Sequence, residues 1–138
     1  VIEITEEDSP DLTALLKKRE MPGFSGVFAL DDYGSGYSNE KTLLELAPEY
    51  IKLDLSIIRN IDSDPDKQQI VENIVSYAHQ RGMKIIAEGL ETPAEFLKVL
   101  ELDVDLLQGY FLAKPSAVPK PVSAESVAVI ERFRKHLA

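Results

Sequence analysis

The chain has 138 residues, a net charge of −9 and no cysteine. Its hydrophobic content of 44% is enough for one globular domain with a core and argues against disorder. The absence of cysteine excludes disulfides and thiolate metal sites, the negative charge argues against a broad surface for long nucleic acids, and the apolar runs are shorter than the roughly 18 residues that a membrane-spanning helix needs.

Strand and helix patterns alternate along the chain. Residues 1–6 alternate apolar and polar side chains, which predicts a strand with Ile2, Ile4 and Glu6 on one face. The predicted strands are residues 1–6, 27–30, 50–54, 83–89 and 106–110. Helix-start signals, such as Asp64-Pro65 and the capping-box sequence Thr92-Pro93-Ala94-Glu95, predict helices between them. A last helix is predicted from about Ser123.

This alternation predicts an α/β fold with parallel strands joined by right-handed crossovers. An open doubly wound sheet and part of a barrel both satisfy it. Polar side chains lie at or near the carboxyl end of every predicted strand, namely Glu6, Asp31, Asp54 with Lys52, Glu88 and Gln108. The residues two positions earlier are apolar or aromatic, namely Ile4, Ala29, Tyr50, Ile86 and Leu106. A packed interior below a polar mouth favours a partial TIM-type barrel over a single crevice.

Two adjacent carboxylates, Asp31 and Asp32, end the second strand and precede the loop Tyr33-Gly34-Ser35-Gly36-Tyr37-Ser38. Like charges at such a point repel each other unless a cation, most simply a divalent metal, lies between them. The alternative is that one acid caps the following helix and the other is solvated. The loop glycines could bring N–H groups close to a phosphate, although two glycines alone are weak evidence.

Glu6, Asp31 and Asp32 form an oxygen-only donor set, which suits Mg²⁺ or Mn²⁺. Because Asp31 and Asp32 are adjacent, each can reach a different ion, as in the two-metal sites of phosphoryl transfer. Lys52 could hold a phosphate oxygen or orient a water, or could simply neutralise Asp54. These residues predict a site for phosphate chemistry.

Glu88 and Gln108 extend this predicted site. Glu88 could be a further metal ligand or the general base that deprotonates water, or instead a helix-capping or salt-bridged carboxylate. Gln108 is neutral, so it would position groups rather than transfer protons.

Five motifs carry a resemblance to one family. EITE, DDYGSGYS, YIKLD, IIAEGLET and LLQGYFLAKP, in this order and spacing, closely resemble the motifs of EAL domains, bacterial phosphodiesterases that open cyclic di-GMP. The resemblance implies a (β/α) barrel, a divalent-metal site and hydrolysis of one phosphodiester to the linear dinucleotide. By motif it assigns metal binding to Glu6, Asp31 and Asp32, catalysis to Lys52, Glu88 and Gln108, substrate contact or its support to Asp54, Glu91, Tyr110 and Pro115, and coupling of dimerisation to the site to the loop from Tyr33 to Ser38.

The sequence also departs from the family pattern, because it lacks the Glu-Ala-Leu strand and the asparagine that supply metal ligands. About five of the eight βα units remain, so we expect residues 1–138 to be the C-terminal part of a single EAL-type domain. We expect this piece to pair with another copy or to come from a longer chain, and to hydrolyse nothing alone. The alternatives are a catalytically inactive EAL-like sensor or protein-interaction module, and a structural remnant without ligand.

The expected partners are cyclic di-GMP and a second copy of the chain, with no long nucleic acid and no direct membrane contact. We expect a soluble, cytoplasmic protein or the cytosolic part of a larger, membrane-attached signalling protein.

Overall fold

The structure, a computed structural model, describes residues 2–4, 12–24, 26–35, 40–108, 127–128 and 130–131. Its strands are β1 (Ile2–Ile4), β2 (Phe28–Tyr33), β3 (Tyr50–Leu53), β4 (Lys84–Ala87) and β5 (Leu106–Leu107). Its helices are α1 (Leu12–Glu20), α2 (Glu40–Leu46), α3 (Leu55–Ile58), α4 (Pro65–Gln80) and α5 (Pro93–Glu101). Six predicted site residues lie outside the described residues, namely Glu6, Gly36, Tyr37, Ser38, Tyr110 and Pro115.

The five strands form one parallel sheet in the order β1-β2-β3-β4-β5. Strands that follow each other in the chain are therefore neighbours in the sheet, and the order never reverses within the described part of the chain. A doubly wound sheet contains such a reversal, whereas a (β/α) barrel does not. The α/β prediction of a partial TIM-type barrel is confirmed.

The main core lies between the sheet and the helices. Apolar side chains of β2, β3 and β4, such as Leu30, Ile51 and Ile85, are fully buried there against α4 and α5. Their burial removes apolar surface from water and supplies the dominant favourable contribution to folding. The opposite face of the sheet, which would be the barrel interior, carries the polar residues.

The face assigned to the first strand is wrong by one position. Ile4 was predicted to lie beneath Glu6 in the barrel interior. Instead Ile4 is 3% exposed and packs with Phe28 and Leu46, while Glu3 lines the interior. Because side chains alternate between faces, burial of Ile4 on the helix side goes with Glu3 on the inner side within β1, while Glu6 lies outside the described residues.

The sequence signals that predicted helix starts agree with the structure. α4 begins after Asp64, whose side chain accepts hydrogen bonds from two N–H groups of the first turn, and Pro65 is its first residue. α5 has the predicted capping box between Thr92 and Glu95. No helix within the described ranges is long and apolar enough to cross a membrane.

α3 has no counterpart among the predicted elements. The predicted strand runs to Asp54, but β3 ends at Leu53 and Asp54 is the N-cap of α3, accepting a hydrogen bond from Ser56 N at 2.9 Å. Asp54 therefore turns the chain from strand to helix and does not extend the strand.

Candidate active site

Lys52 lies at the centre of the polar edge of the sheet. Its side chain is 11% exposed, and its Nζ is 2.7 Å from Glu3 Oε1, 2.8 Å from Glu88 Oε1 and 3.9 Å from Asp31 Oδ1. The three carboxylates come from β1, β2 and the residue after β4, so strands that are not neighbours reach one point. One positive charge therefore faces three negative charges.

These ion pairs stabilise the charged form of Lys52. Burial alone would lower its pKa, but hydrogen bonds to Glu3 and Glu88 outweigh burial and raise the pKa of Lys52 above its ordinary value. The interpretation in which Lys52 neutralises Asp54 is wrong, because the Asp54 carboxylate instead accepts the hydrogen bonds of Ser56. Lys52 is thus a fixed cation among competing carboxylates.

Asp31 and Asp32 lie in a β-bulge at the end of β2. Between Leu30 and Tyr33, β2 advances three residues while β3 advances two, and Asp32 has a left-handed φ of 55°. The bulge breaks the regular alternation that would send adjacent side chains to opposite faces. Partial burial and the neighbouring carboxylates, Asp31 first among them, raise the pKa of Asp32. α2 begins only at Glu40, so neither acid is its N-cap.

Glu88 and Gln108 continue the edge at the ends of β4 and β5. Glu88 pairs with Lys52, whereas Thr92 is the N-cap of α5, so Glu88 is a salt-bridged carboxylate and not a helix cap. The main-chain N–H of Gln108 donates to the carbonyl of Ala87 at 2.8 Å, which extends the β4–β5 pairing to the rim. Two of the predicted catalytic residues are therefore in contact, and the third lies on the adjoining strand.

The site opens into a cavity of about 280 Å³. Its lining residues are Glu3, Ala29, Tyr50, Lys52, Ile86, Glu88, Leu106 and Gln108. The predicted apolar and aromatic layer from β2, β3, β4 and β5 is thus present below the polar mouth. A concave site with an apolar floor and a few convergent polar groups is typical of a small-molecule pocket.

Glu3 is the site residue that the sequence analysis missed. It lies between Ile2 and Ile4 in a strand of three described residues, and Ile4 faces the helices. The signal that could have found it is the alternation itself, since burying Ile4 against the core places Glu3 on the inner face.

Other predicted residues have structural partners. Glu91 pairs with Arg59 at 3.0 Å and is half-exposed, and Asp54 caps α3. Tyr33 is half-buried and packs against the main core, while Gly34 follows it with φ of 95°. None of these contacts involves Lys52.

The donor chemistry of this edge fits a hard divalent cation. The carboxylates of Glu3, Asp31 and Glu88 already surround the Lys52 ammonium, which shows that they attract positive charge. Oxygen donors are those that Mg²⁺ and Mn²⁺ prefer. Within the described ranges, however, no three carboxylate or histidine side chains lie close enough to form a metal site by themselves. Further donors would have to complete it.

Comparisons with known proteins give one consistent result. The model of the EAL domain family matches residues 1–115. The chain is 33% identical over 119 residues to the probable cyclic di-GMP phosphodiesterase PdeG of Escherichia coli strain K12, covering 83% of this chain and 23% of that protein.

Solved structures agree with this match. Klebsiella pneumoniae BlrP1, in its manganese and cyclic di-GMP complex, aligns with a TM-score of 0.74 and 31% identity over 83% of this chain and 30% of its own. A standalone EAL protein from Vibrio cholerae O395, in its c-di-GMP bound form, gives 0.73 and 32% over 91% and 54%. The chain thus spans less than two thirds of each relative.

Proposed function

Because this chain belongs to the EAL domain family, we propose that it is the C-terminal part of a single EAL-type domain that hydrolyses cyclic di-GMP to the linear dinucleotide with the help of divalent metal. The observation that carries the proposal is the convergence of Glu3, Asp31 and Glu88 on the ammonium of Lys52. The names of PdeG and of the manganese-bound BlrP1 complex support the same substrate and metal class.

We assign metal binding to Asp31 and Asp32, to Glu6 from the sequence pattern, and to Glu3 from its position beside Lys52. When bound, Mg²⁺ or Mn²⁺ would neutralise charge on the scissile phosphate and lower the pKa of the attacking water. The bulge in β2 supports this assignment, because it allows two consecutive carboxylates to lie at the same polar edge of the sheet.

We assign catalysis to Lys52, Glu88 and Gln108. Lys52 binds a non-bridging phosphate oxygen, and the charge that develops there in the transition state strengthens the contact. Glu88 takes a proton from the attacking water as the new P–O bond forms and the ester P–O bond breaks, and the leaving ester oxygen takes a proton from solvent to become the hydroxyl of the linear dinucleotide. Gln108 orients the water by hydrogen bonding. The pairing of Glu88 with Lys52 at 2.8 Å supports these roles, since it keeps base and phosphate site together.

The remaining predicted residues act around this centre. We propose that Asp54 and Glu91 support the site through α3 and Arg59, and that Tyr110 and Pro115 contact substrate. The loop from Tyr33 to Ser38 would link the site to a second copy of the chain.

The incomplete sheet supports a need for further strands. In the described part of the chain, β1 pairs only with β2 and β5 only with β4. An open parallel edge is a site for pairing with another chain. We therefore propose that turnover requires additional strands, from a longer chain or another polypeptide, and that the 138-residue chain alone does not hydrolyse the nucleotide.

The test combines binding and turnover. Isothermal titration with cyclic di-GMP and Ca²⁺, which blocks turnover, measures binding by the 138-residue chain. Hydrolysis with Mn²⁺ is then compared between this chain and the same chain extended upstream by the missing strands of an EAL domain. We expect turnover only in the extended chain, and a loss of about 100-fold or more in its Lys52→Met variant.

The matched control is Lys98→Met, because Lys98 pairs with Glu101 on the exposed side of α5. Turnover by the short chain contradicts the proposed incompleteness. Nucleotide binding without turnover in the extended chain identifies an inactive sensor instead.

A further inference from the structure

The short helix α3 lies between the two strand ends that carry the acids. It follows β3, whose neighbours in the sheet are β2 and β4. Gly34 comes two residues after Asp32, and Gly89 comes directly after Glu88. α3 touches both glycines, Gly34 through Ile57 and Gly89 through Leu55. One helical turn therefore contacts the chain on both sides of Lys52.

The contacts leave no room for a Cβ at either glycine unless the neighbouring side chain moves. A Cβ at Gly34 would lie 2.0 Å from Ile57 Cδ1 and 2.8 Å from its Cγ1, and one at Gly89 would lie 2.3 Å from Leu55 Cδ1. Ile57 is 7% exposed and Leu55 49%. Leu55 can therefore turn outward, whereas Ile57 cannot, so the Gly34 contact is the tighter of the two.

Two other glycines show how the effect of this contact can be distinguished from the effect of backbone strain. Gly23 and Gly82 also have left-handed φ values, 82° and 72°, but no atom lies within 4 Å of a Cβ built on either. They need glycine only for their backbone conformation. At Gly34 a side chain would also meet the buried Ile57, whereas at Gly89 it would meet only the movable Leu55.

Hydrogen bonds fix α3 at both ends. At its start, the N–H of Asp54 donates to the carbonyl of Tyr33 at 2.9 Å. Just after its end, the guanidinium of Arg59 donates to the carbonyl of Gly89 at 3.3 Å. The main-chain N–H of Asn60 donates to the buried carboxylate of Glu95 at 2.8 Å. The start of α3 is thus tied to the last residue of β2, and the residue after its end to the segment after β4.

We propose that α3 is a spacer that sets the separation between the Asp31-Asp32 and Glu88 segments on either side of Lys52, with Ile57 and Leu55 as positioning residues. This role rests on the proposed function for its catalytic meaning, although the spacing itself is a property of the fold. A shift at Gly34 is transmitted through α3 to Gly89, and so to Glu88.

The first test measures this transmission without any ligand. Amide ¹H–¹⁵N shifts of the 138-residue chain are compared for Gly34→Ala and Gly23→Ala. We expect Gly34→Ala to move the amides of Glu88 and Gly89, and Gly23→Ala to leave them in place. The double variant Gly34→Ala/Ile57→Ala removes the clash and returns them toward their wild-type positions.

A milder variant covers the case in which Gly34→Ala does not fold. Ile57→Val deletes only the Cδ1 atom that contacts Gly34, and we expect smaller shifts at the same distant amides. Shifts confined to the neighbours of residue 34 or 57, or no return in the double variant, overturn the spacer.

The second test measures the consequence for the site. Titration with cyclic di-GMP in Ca²⁺ should show about a tenfold weaker Kd for Gly34→Ala than for Gly23→Ala, as expected when groups move by less than 1 Å. The conservative Ile57→Val variant should retain most of the affinity.

The two proposals fail differently. If wild-type chain and its upstream-extended form bind no nucleotide, the proposed function fails while the amide pattern still decides the spacer. If they bind but Gly34→Ala behaves as Gly23→Ala in both measurements, the spacer fails alone.

Discussion

Two clusters of charge in this molecule are built in opposite ways. At Lys52, one ammonium faces the carboxylates of Glu3, Asp31 and Glu88. At Glu95, one carboxylate with 1% exposure accepts hydrogen bonds from three main-chain N–H groups and from Arg59. The Lys52 cluster has three carboxylates for one ammonium. The Glu95 cluster has four donor groups for one carboxylate.

This difference in the balance of donors and acceptors distinguishes a ligand-binding site from a cluster that only stabilises the fold. A buried carboxylate with all its donors in place gains nothing from a further ligand, so Glu95 holds the β3–α4 and β4–α5 connections together. Three carboxylates around one ammonium leave a net negative charge at the Lys52 cluster, which would favour the metal binding proposed above. Both kinds of cluster shift pKa values, and only the balance of charge tells them apart.

The largest expected effect on stability comes from removing the carboxylate of Glu95. Glu95→Ala leaves Arg59 and three N–H groups without their acceptor, and we expect it to lower the free energy of unfolding by about 3–5 kcal/mol. Urea unfolding followed by circular dichroism measures the loss. Glu101→Ala, which breaks only the exposed pair with Lys98, should cost less than about 1 kcal/mol. Equal losses would contradict the contrast between the clusters.

Removing the ammonium of Lys52 should lower the free energy of unfolding by less, and added metal should restore part of that loss. Lys52→Met leaves three partly exposed carboxylates facing each other, and we expect a loss of about 2 kcal/mol, between the values for exposed and buried pairs. Mn²⁺ should stabilise Lys52→Met more than wild type, and should stabilise Glu95→Ala no more than wild type, because Glu95→Ala leaves the Lys52 cluster unchanged. Thermal unfolding with and without Mn²⁺ measures this, and an equal metal effect in all three proteins would refute it.

The smallest expected effect is a pH dependence. Burial raises the pKa of Glu95. Hydrogen bonds from Asn60 and Glu91 and the charge of Arg59 lower it by more, so the pKa of Glu95 lies below its ordinary value of 4.5. A depressed carboxyl pKa contributes stability that is present above 4.5 and is lost as the pH falls through the folded-state pKa. The stability advantage of wild type over Glu95→Gln should therefore shrink below pH 4.5. An advantage independent of pH would show that Glu95 acts only by its shape.

Sequence patterns predict the fold because its signals are local. The capping box at Thr92, the Asp64-Pro65 start and the apolar runs each depend on residues within a few positions of one another. The polar strand ends also predict that Asp31, Lys52 and Glu88 meet, since parallel strands bring their carboxyl ends to one edge.

The rest depends on contacts between distant residues. α3 is a single turn that is stable only with its tertiary partners, so no periodicity reveals it. Glu95 can be recognised as a capping-box residue, but its bond to Asn60 joins positions 35 residues apart. Glu3 was missed because a short alternating strand fits either face equally well until its core partners, Phe28 and Leu46, are known.

The position of Lys52 also has a consequence for ion selectivity. The ammonium is a tethered counterion, so the folded chain can assemble its carboxylates before any free ion arrives. A sodium or potassium ion brings the same charge as this ammonium and loses translational freedom, so exchanging one for the other offers no electrostatic gain. A divalent ion doubles the local charge. For the metal binding proposed above, we therefore expect the mouth of the sheet to favour divalent over monovalent ions.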